Sequence, residues 1–122
     1  MDTDQDYMMN HNILKNLLKF KFSTHSLERL ARSEITENQA VKDMKRHLWA
    51  MRKERGNEIY RIIGDYAEYV LTEQFVIITI LPRMTRAERK KNFKTKVFGR
   101  EYMNMSKEDV NSMIFKTLKT NY

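Results

Sequence analysis

Three runs rich in β-branched and aromatic residues, 58–63, 66–72 and 75–81, follow one another with only two residues between each pair. Gaps that short permit antiparallel hairpins and leave no room for the crossover a parallel pairing needs. An antiparallel sheet is therefore expected in the middle of the chain. Gly64-Asp65 is a two-residue hairpin signal. A tight turn there sets Ile63 against Tyr66, Arg61 against Glu68 and Tyr60 against Tyr69. Glu73-Gln74 makes a second turn, and the nearly unbroken apolar run after it predicts a strand buried on both faces at the sheet centre, ended by Pro82.

Helical spacing governs the segments on either side. Residues 1–9 read as a frayed tail, and Ile13, Leu14, Leu17 and Leu18 recur as one face of a helix over about 10–20. Ser23 or Thr24 can cap the next helix, whose apolar face holds Leu27, Leu30 and Ala31. Thr36 with Gln39 is a capping-box pair opening a third helix, which carries Val41, Met44, Leu48 and Met51 on one stripe as far as Gly56-Asn57. After Pro82, Thr85 with Glu88 repeats the capping pattern for a short basic helix. Phe93, Thr95 and Val97 then alternate with Lys94, Lys96 and Phe98, which allows a fourth, edge-like strand. Ser106 caps a C-terminal helix over 106–119, with Glu108 and Asp109 in its first turn and Val110, Met113, Ile114 and Leu118 facing inward. The expectation is one α+β domain over 1–122, with N-terminal helices packed on an antiparallel three- to four-stranded sheet and a helix at the C-terminus.

Charge and composition narrow the function classes. The net charge is +7, and residues 83–100 hold eight basic side chains against Glu88 alone, so the rest of the chain is neutral in sum. A basic stripe of this kind attracts phosphate backbones through counterion release, although it also serves as an ordinary solvated face. No cysteine is present. That excludes a disulfide framework and thiolate catalysis, and it removes the usual soft ligands of structural zinc. His11, His25 and His47 have no tight ligand spacing, so neither a metal nor a cofactor is expected. The most apolar run, 75–81, is far shorter than the roughly 18 residues of a membrane span. The acidic start from Met1 to Asp6 lacks the basic and apolar regions of a secretory signal. No membrane association and a cytoplasmic location are expected.

One helix face gathers the chemistry. At 100° per residue, His25, Glu28, Arg29 and Arg32 fall within about 100° of one another on the helix after Ser23, away from Leu27 and Leu30. An imidazole beside a carboxylate and two guanidiniums is what metal-free RNA cleavage requires. A base takes the ribose 2′-OH proton, an acid protonates the departing 5′ oxygen, and fixed cations stabilise the phosphorane-like transition state. The plain alternative is a solvated face with a Glu28–Arg32 ion pair. His47 borders the apolar stripe between Met44 and Met51, from which it can reach the sheet. His11 takes no assigned role. Tyr60 and Arg61 alternate on the first strand, so either can join a phosphate site. Trp49, Tyr66, Tyr69 and Phe75 can stack on unpaired bases or serve as core residues.

From Phe22 to Glu37 the chain resembles the helical catalytic segment of the phage RegB endoribonucleases. The resemblance rests on Ser23, His25, Leu27, Glu28 and Arg29, then on Glu34, Ile35 and Glu37. Those enzymes group with RelE-type toxins among the barnase, EndoU, colicin and RelE ribonucleases. Residues 22–82 are also similar to small bacterial proteins in which a His-Ala-x-x-Arg helix precedes β-hairpins that end in an apolar strand and proline. The resemblance implies helices on an antiparallel sheet and a catalytic histidine at His25, with its acidic and basic neighbours at Glu28 and Arg29. The second catalytic histidine of the family falls on the next helix, where His47 stands two residues later than an ungapped match places it.

Taken together, these readings predict a metal-independent, phage-encoded endoribonuclease that cleaves single-stranded messenger RNA. His25 and His47 are expected to share acid and base work, with Glu28 orienting His25 and with Arg29 and Arg32 on the scissile phosphate. Arg61, Arg83, Arg86, Arg89, Lys90 and Lys91 are expected to follow the RNA backbone. Two rival classes share the same scaffold. One is a catalytically silent regulator that binds nucleic acid or a host protein such as a ribosome or transcription component. The other is an interaction module using a methionine-rich surface, since nine methionines are many for 122 residues.

Overall fold

The computed structural model describes residues 15–82 and 102–120. Residues 15–17 are helical, and the helix expected over about 10–20 has ended by Leu18. There follow β1 (Lys21–Phe22), α1 (Thr24–Arg32), α2 (Glu37–Arg46), a 3-10 turn (Leu48–Ala50), β2 (Arg52–Glu54), β3 (Ile59–Ile63), β4 (Ala67–Thr72), β5 (Val76–Pro82), β6 (Tyr102–Asn104) and α3 (Lys107–Thr120). The fold is α+β, with a C-terminal helix and a six-stranded sheet in the order β1-β5-β4-β3-β2-β6. Every pairing is antiparallel except β1 with β5, where Lys21 and Phe22 run parallel to Val76 and Ile77. The basic helix and edge strand read between Thr85 and Phe98 lie outside the described residues.

Local chemistry explains the helix ends. Ser23 caps α1, its side chain accepting from Ser26 N at 3.1 Å, and Thr36 and Gln39 form a reciprocal capping box on α2. α1 ends with Glu34 N donating to Ala31 O and Ile35 N to Leu30 O, the pattern in which the residue after the cap turns left-handed. Glu34 holds that position at φ 56°, where glycine is usual. The stripe through Met44, Leu48 and Met51 is fully buried as read, but the helix under it stops at Arg46. His47 is its C-cap, and the 3-10 turn carries the stripe onward so that Arg52–Glu54 can pair between β3 and β6.

The sheet corrects three expectations. It is wider than three or four strands because β1, β2 and β6, of two or three residues each, are too short to show a period. The two central strands are β4 and β3, and in β4 Ala67, Glu68 and Tyr69 are all buried; β5 lies next to the edge strand β1, with Ile78 39% exposed. Phe75 is not in a strand. It closes the β4–β5 turn at φ 60°, and its buried ring meets Phe20 edge-on at 5.8 Å.

One sheet face is the core. Tyr60, Ile62, Ala67, Tyr69, Leu71, Ile77 and Ile80 are buried there with Leu30 of α1, Ala40 and Met44 of α2, and Val110 and Ile114 of α3. Among the described residues no helix is long and apolar enough to cross a membrane.

Candidate functional site

The register of β3 against β4 leads to the site. Ile63 faces Glu68, Ile62 faces Tyr69 and Tyr60 faces Leu71, a shift of two from the pairing expected from Gly64-Asp65. The turn is centred on Asp65 and Tyr66 instead, closed by Gly64 N donating to Ala67 O at 2.9 Å. Its organiser is Asp43 of α2, 3% exposed. Oδ1 of Asp43 accepts from Asp65 N at 2.7 Å, and Oδ2 accepts from Tyr66 N at 2.9 Å and from the Tyr69 hydroxyl at 2.8 Å. A buried carboxylate is tolerated only when paired or hydrogen-bonded, and three donors meet that need. Burial and the Asp43 carboxylate together push the Tyr69 hydroxyl far above the ordinary tyrosine range.

His47 joins this cluster one turn beyond Asp43. Its Nε2 is sealed from solvent and lies 3.2 Å from Oδ1 of Asp65, off the line of a good hydrogen bond, and 3.9 Å from Oδ1 of Asp43. Oδ2 of Asp65 takes Nη1 of Arg46 at 3.3 Å. The His47 contact, reinforced by Arg46, holds the exposed Asp65 carboxyl below the usual carboxylate range. One ligand atom from each of Asp43, His47 and Asp65 lies within 4.8 Å of the others, a spread that a metal ion can bridge. Asp43 is already spent on the turn, however, and the set is better matched to proton chemistry by an imidazole backed by carboxylates.

The α1 face stands apart. His25, Glu28, Arg29 and Arg32 are all exposed. Nε of Arg29 approaches Nε2 of His25 at 3.4 Å, an approach that suits a ring nitrogen with a free lone pair. Among the described residues no hydrogen bond or ion pair joins Glu28 to His25 or to Arg32, or His25 to His47. The fold thus brings His25 and Arg29 together on one face with Arg32, and places His47 in a separate set with Asp43 and Asp65.

Arg61 is not an open phosphate ligand. On the sheet face opposite the core, Nη1 meets Glu68 at 3.3 Å, Nη2 donates to the Tyr102 hydroxyl at 3.3 Å, and the guanidinium lies 4.5 Å from the Tyr102 ring centroid. The Arg61 side chain is only 20% exposed and Glu68 is buried, so its charge is largely compensated. Arg83, Arg86, Arg89, Lys90 and Lys91 lie outside the described residues.

A cleft of about 950 Å³ opens elsewhere, between α3 and the ends of β2, β3 and β6, and contains neither His25 nor His47. Within it Lys53 Nζ is 3.6 Å from Glu58, and the Tyr60 hydroxyl donates to Glu58 at 2.8 Å. Burial and Glu58 raise the Tyr60 hydroxyl far above its usual range, so it keeps its proton at neutral pH.

Sequence reasoning passed over Asp43, Gly64 as its neighbour, and Asp65. A signal existed in the i, i+4 spacing of Asp43 and His47 beside the buried stripe, but Asp65 reaches them only through the fold. Comparison of the chain with protein-family models, curated proteins and solved structures finds no match.

Proposed function

We propose that the protein is a metal-independent endoribonuclease acting on single-stranded RNA, with messenger RNA of a phage-infected bacterial cytoplasm as its natural substrate. The observation that carries this reading is the exposed α1 face, where His25 and Arg29 are in contact at 3.4 Å and Arg32 lies on the next turn. The resemblance of residues 22–37 to the RegB catalytic segment supports it. In this scheme a histidine takes the 2′-OH proton as O2′ attacks phosphorus, and the second histidine protonates O5′ as the P–O5′ bond breaks. The products are a 2′,3′-cyclic phosphate and a 5′-hydroxyl. Arg29 and Arg32 meet the non-bridging oxygens, since guanidinium remains charged and pairs bidentately with phosphate. His47, backed by Asp65, is the second proton carrier. The test is incubation of purified protein with single-stranded transcripts in EDTA, in which wild type cuts and His25→Ala does not.

A second reading is favoured by the separate polar contacts of His25 and His47: a regulator that binds RNA or a host protein on the same scaffold without cutting. Steeply salt-dependent RNA binding with the RNA left intact supports that reading over the first.

A further inference from the structure

We infer that Asp65 is the positioning residue of His47, fixing the imidazole so that Nε2 faces the carboxylates and Nδ1 is the nitrogen that exchanges a proton with substrate. This rests on the reading that His47 carries a proton in catalysis, and it adds Asp65 and Asp43 to a site from which sequence reasoning omitted them.

The geometry is specific. Nε2 of His47 is sealed from solvent, so exchange with any outside group falls to Nδ1. Nε2 lies 3.2 Å from Oδ1 of Asp65, off the line of a good hydrogen bond, and 3.9 Å from Oδ1 of Asp43. Asp65 is itself held at three points: its backbone N–H is bound by Asp43 at 2.7 Å, Oδ1 faces His47, and Oδ2 faces Arg46 at 3.3 Å. An ionised carboxylate in that place favours the tautomer with hydrogen on Nε2 and leaves Nδ1 as the acceptor. Among the described residues, the charged groups that meet the ring or its carboxylate are Asp43 from its own helix, Asp65 from the β3–β4 turn, and Arg46 acting through Asp65. The Tyr69 hydroxyl donates to the other oxygen of Asp43 at 2.8 Å.

Two readouts test the assignment separately from the ribonuclease activity. Ring-nitrogen NMR of labelled protein is expected to show His47 in the Nε2–H tautomer, with an Nε2 proton slow to exchange. In Asp65→Ala, which removes the acceptor, that signature is lost while the backbone spectrum is kept; an unchanged His47 signature in Asp65→Ala overturns the inference, whatever the enzyme does. Arg46→Gln, which removes the competing cation and leaves Asp65, keeps the tautomer; its loss there also counts against Asp65 as the positioning group. In cleavage assays Asp65→Asn lowers kcat at least about tenfold with KM unchanged. A wild-type protein that shows the tautomer yet cuts no RNA overturns the ribonuclease proposal and leaves the positioning of His47 by Asp65 standing.

Discussion

A Cβ on Gly64 would lie 2.2 Å from Oδ2 of Asp43. Gly64 therefore serves the close approach of a helix carboxylate to a hairpin turn. Its φ lies outside the left-handed region that occupies Gly56, so conformational freedom is not what the position demands. Gly64→Ala is expected to push Asp43 off Asp65 N, Tyr66 N and the Tyr69 hydroxyl together, costing about 2 to 3 kcal/mol. Chemical denaturation measures this, and a loss of only a few tenths would place the turn elsewhere.

The Asp43–Tyr69 pair carries a signature in alkali. A hydroxyl whose folded pKa is raised keeps its proton after the unfolded chain has lost it, so stability declines as pH rises above about 10, the unfolded tyrosine value. Tyr69 and Tyr60 are both raised by burial first and by a neighbouring carboxylate second. Ultraviolet titration should show these two of the six tyrosines ionising only as the protein unfolds. Tyr69→Phe lessens the alkaline loss but costs about 1 kcal/mol at neutral pH, because Asp43 loses one donor.

Asp65 gives the opposite dependence. Its carboxyl is lowered in the folded protein, chiefly by His47, so its contribution is complete above about pH 4, the unfolded carboxylate value, and is lost as pH falls through the folded value. The acid limb of the stability curve should flatten in Asp65→Asn relative to wild type, read from thermal melts between pH 2 and 6. An unaltered limb would separate Asp65 from His47 in solution.

The left-handed residue at the end of α1 offers a gain. Glu34 sits at φ 56° where a side chain is strained, and it is exposed. Glu34→Gly should raise stability by about 0.5 to 1 kcal/mol. Removing the Thr36 cap next to it, as Thr36→Ala, should lower stability by about 1 kcal/mol. Melting temperatures that move in the same direction for both variants would contradict this account of the α1–α2 junction.

The layout of helices around an antiparallel sheet is legible because the apolar stripe of α3 and the runs in β3, β4 and β5 are long enough to show their periods, whereas on α1 only Leu30 of the expected apolar face is buried and Leu27 and Ala31 are exposed. The Thr36–Gln39 capping box locates the start of α2, and Ser106, accepting from Asp109 N at 3.1 Å, locates the start of α3. The end of α2 is not legible, since a 3-10 turn continues the same buried stripe through Leu48 to Met51. The strands β2 and β6 carry Arg52, Lys53 and Glu54 against Tyr102, Met103 and Asn104, residues that look like surface until the pairing is known. The site divides in the same way. His25, Arg29 and Arg32 share a face because they share a helix, so spacing finds them. Asp65 lies 22 residues from Asp43, and only the packing of α2 on the hairpin brings the two to His47.

The central claim is that this chain cuts RNA by proton transfer without a metal. The most direct measurement is end-group analysis of single-stranded RNA incubated with the purified protein in EDTA. Fragments ending in 2′,3′-cyclic phosphate are expected from wild type and none from His25→Ala, with the variant folded and still binding RNA. Intact RNA at excess wild-type protein, or equal cutting by His25→Ala, would contradict it.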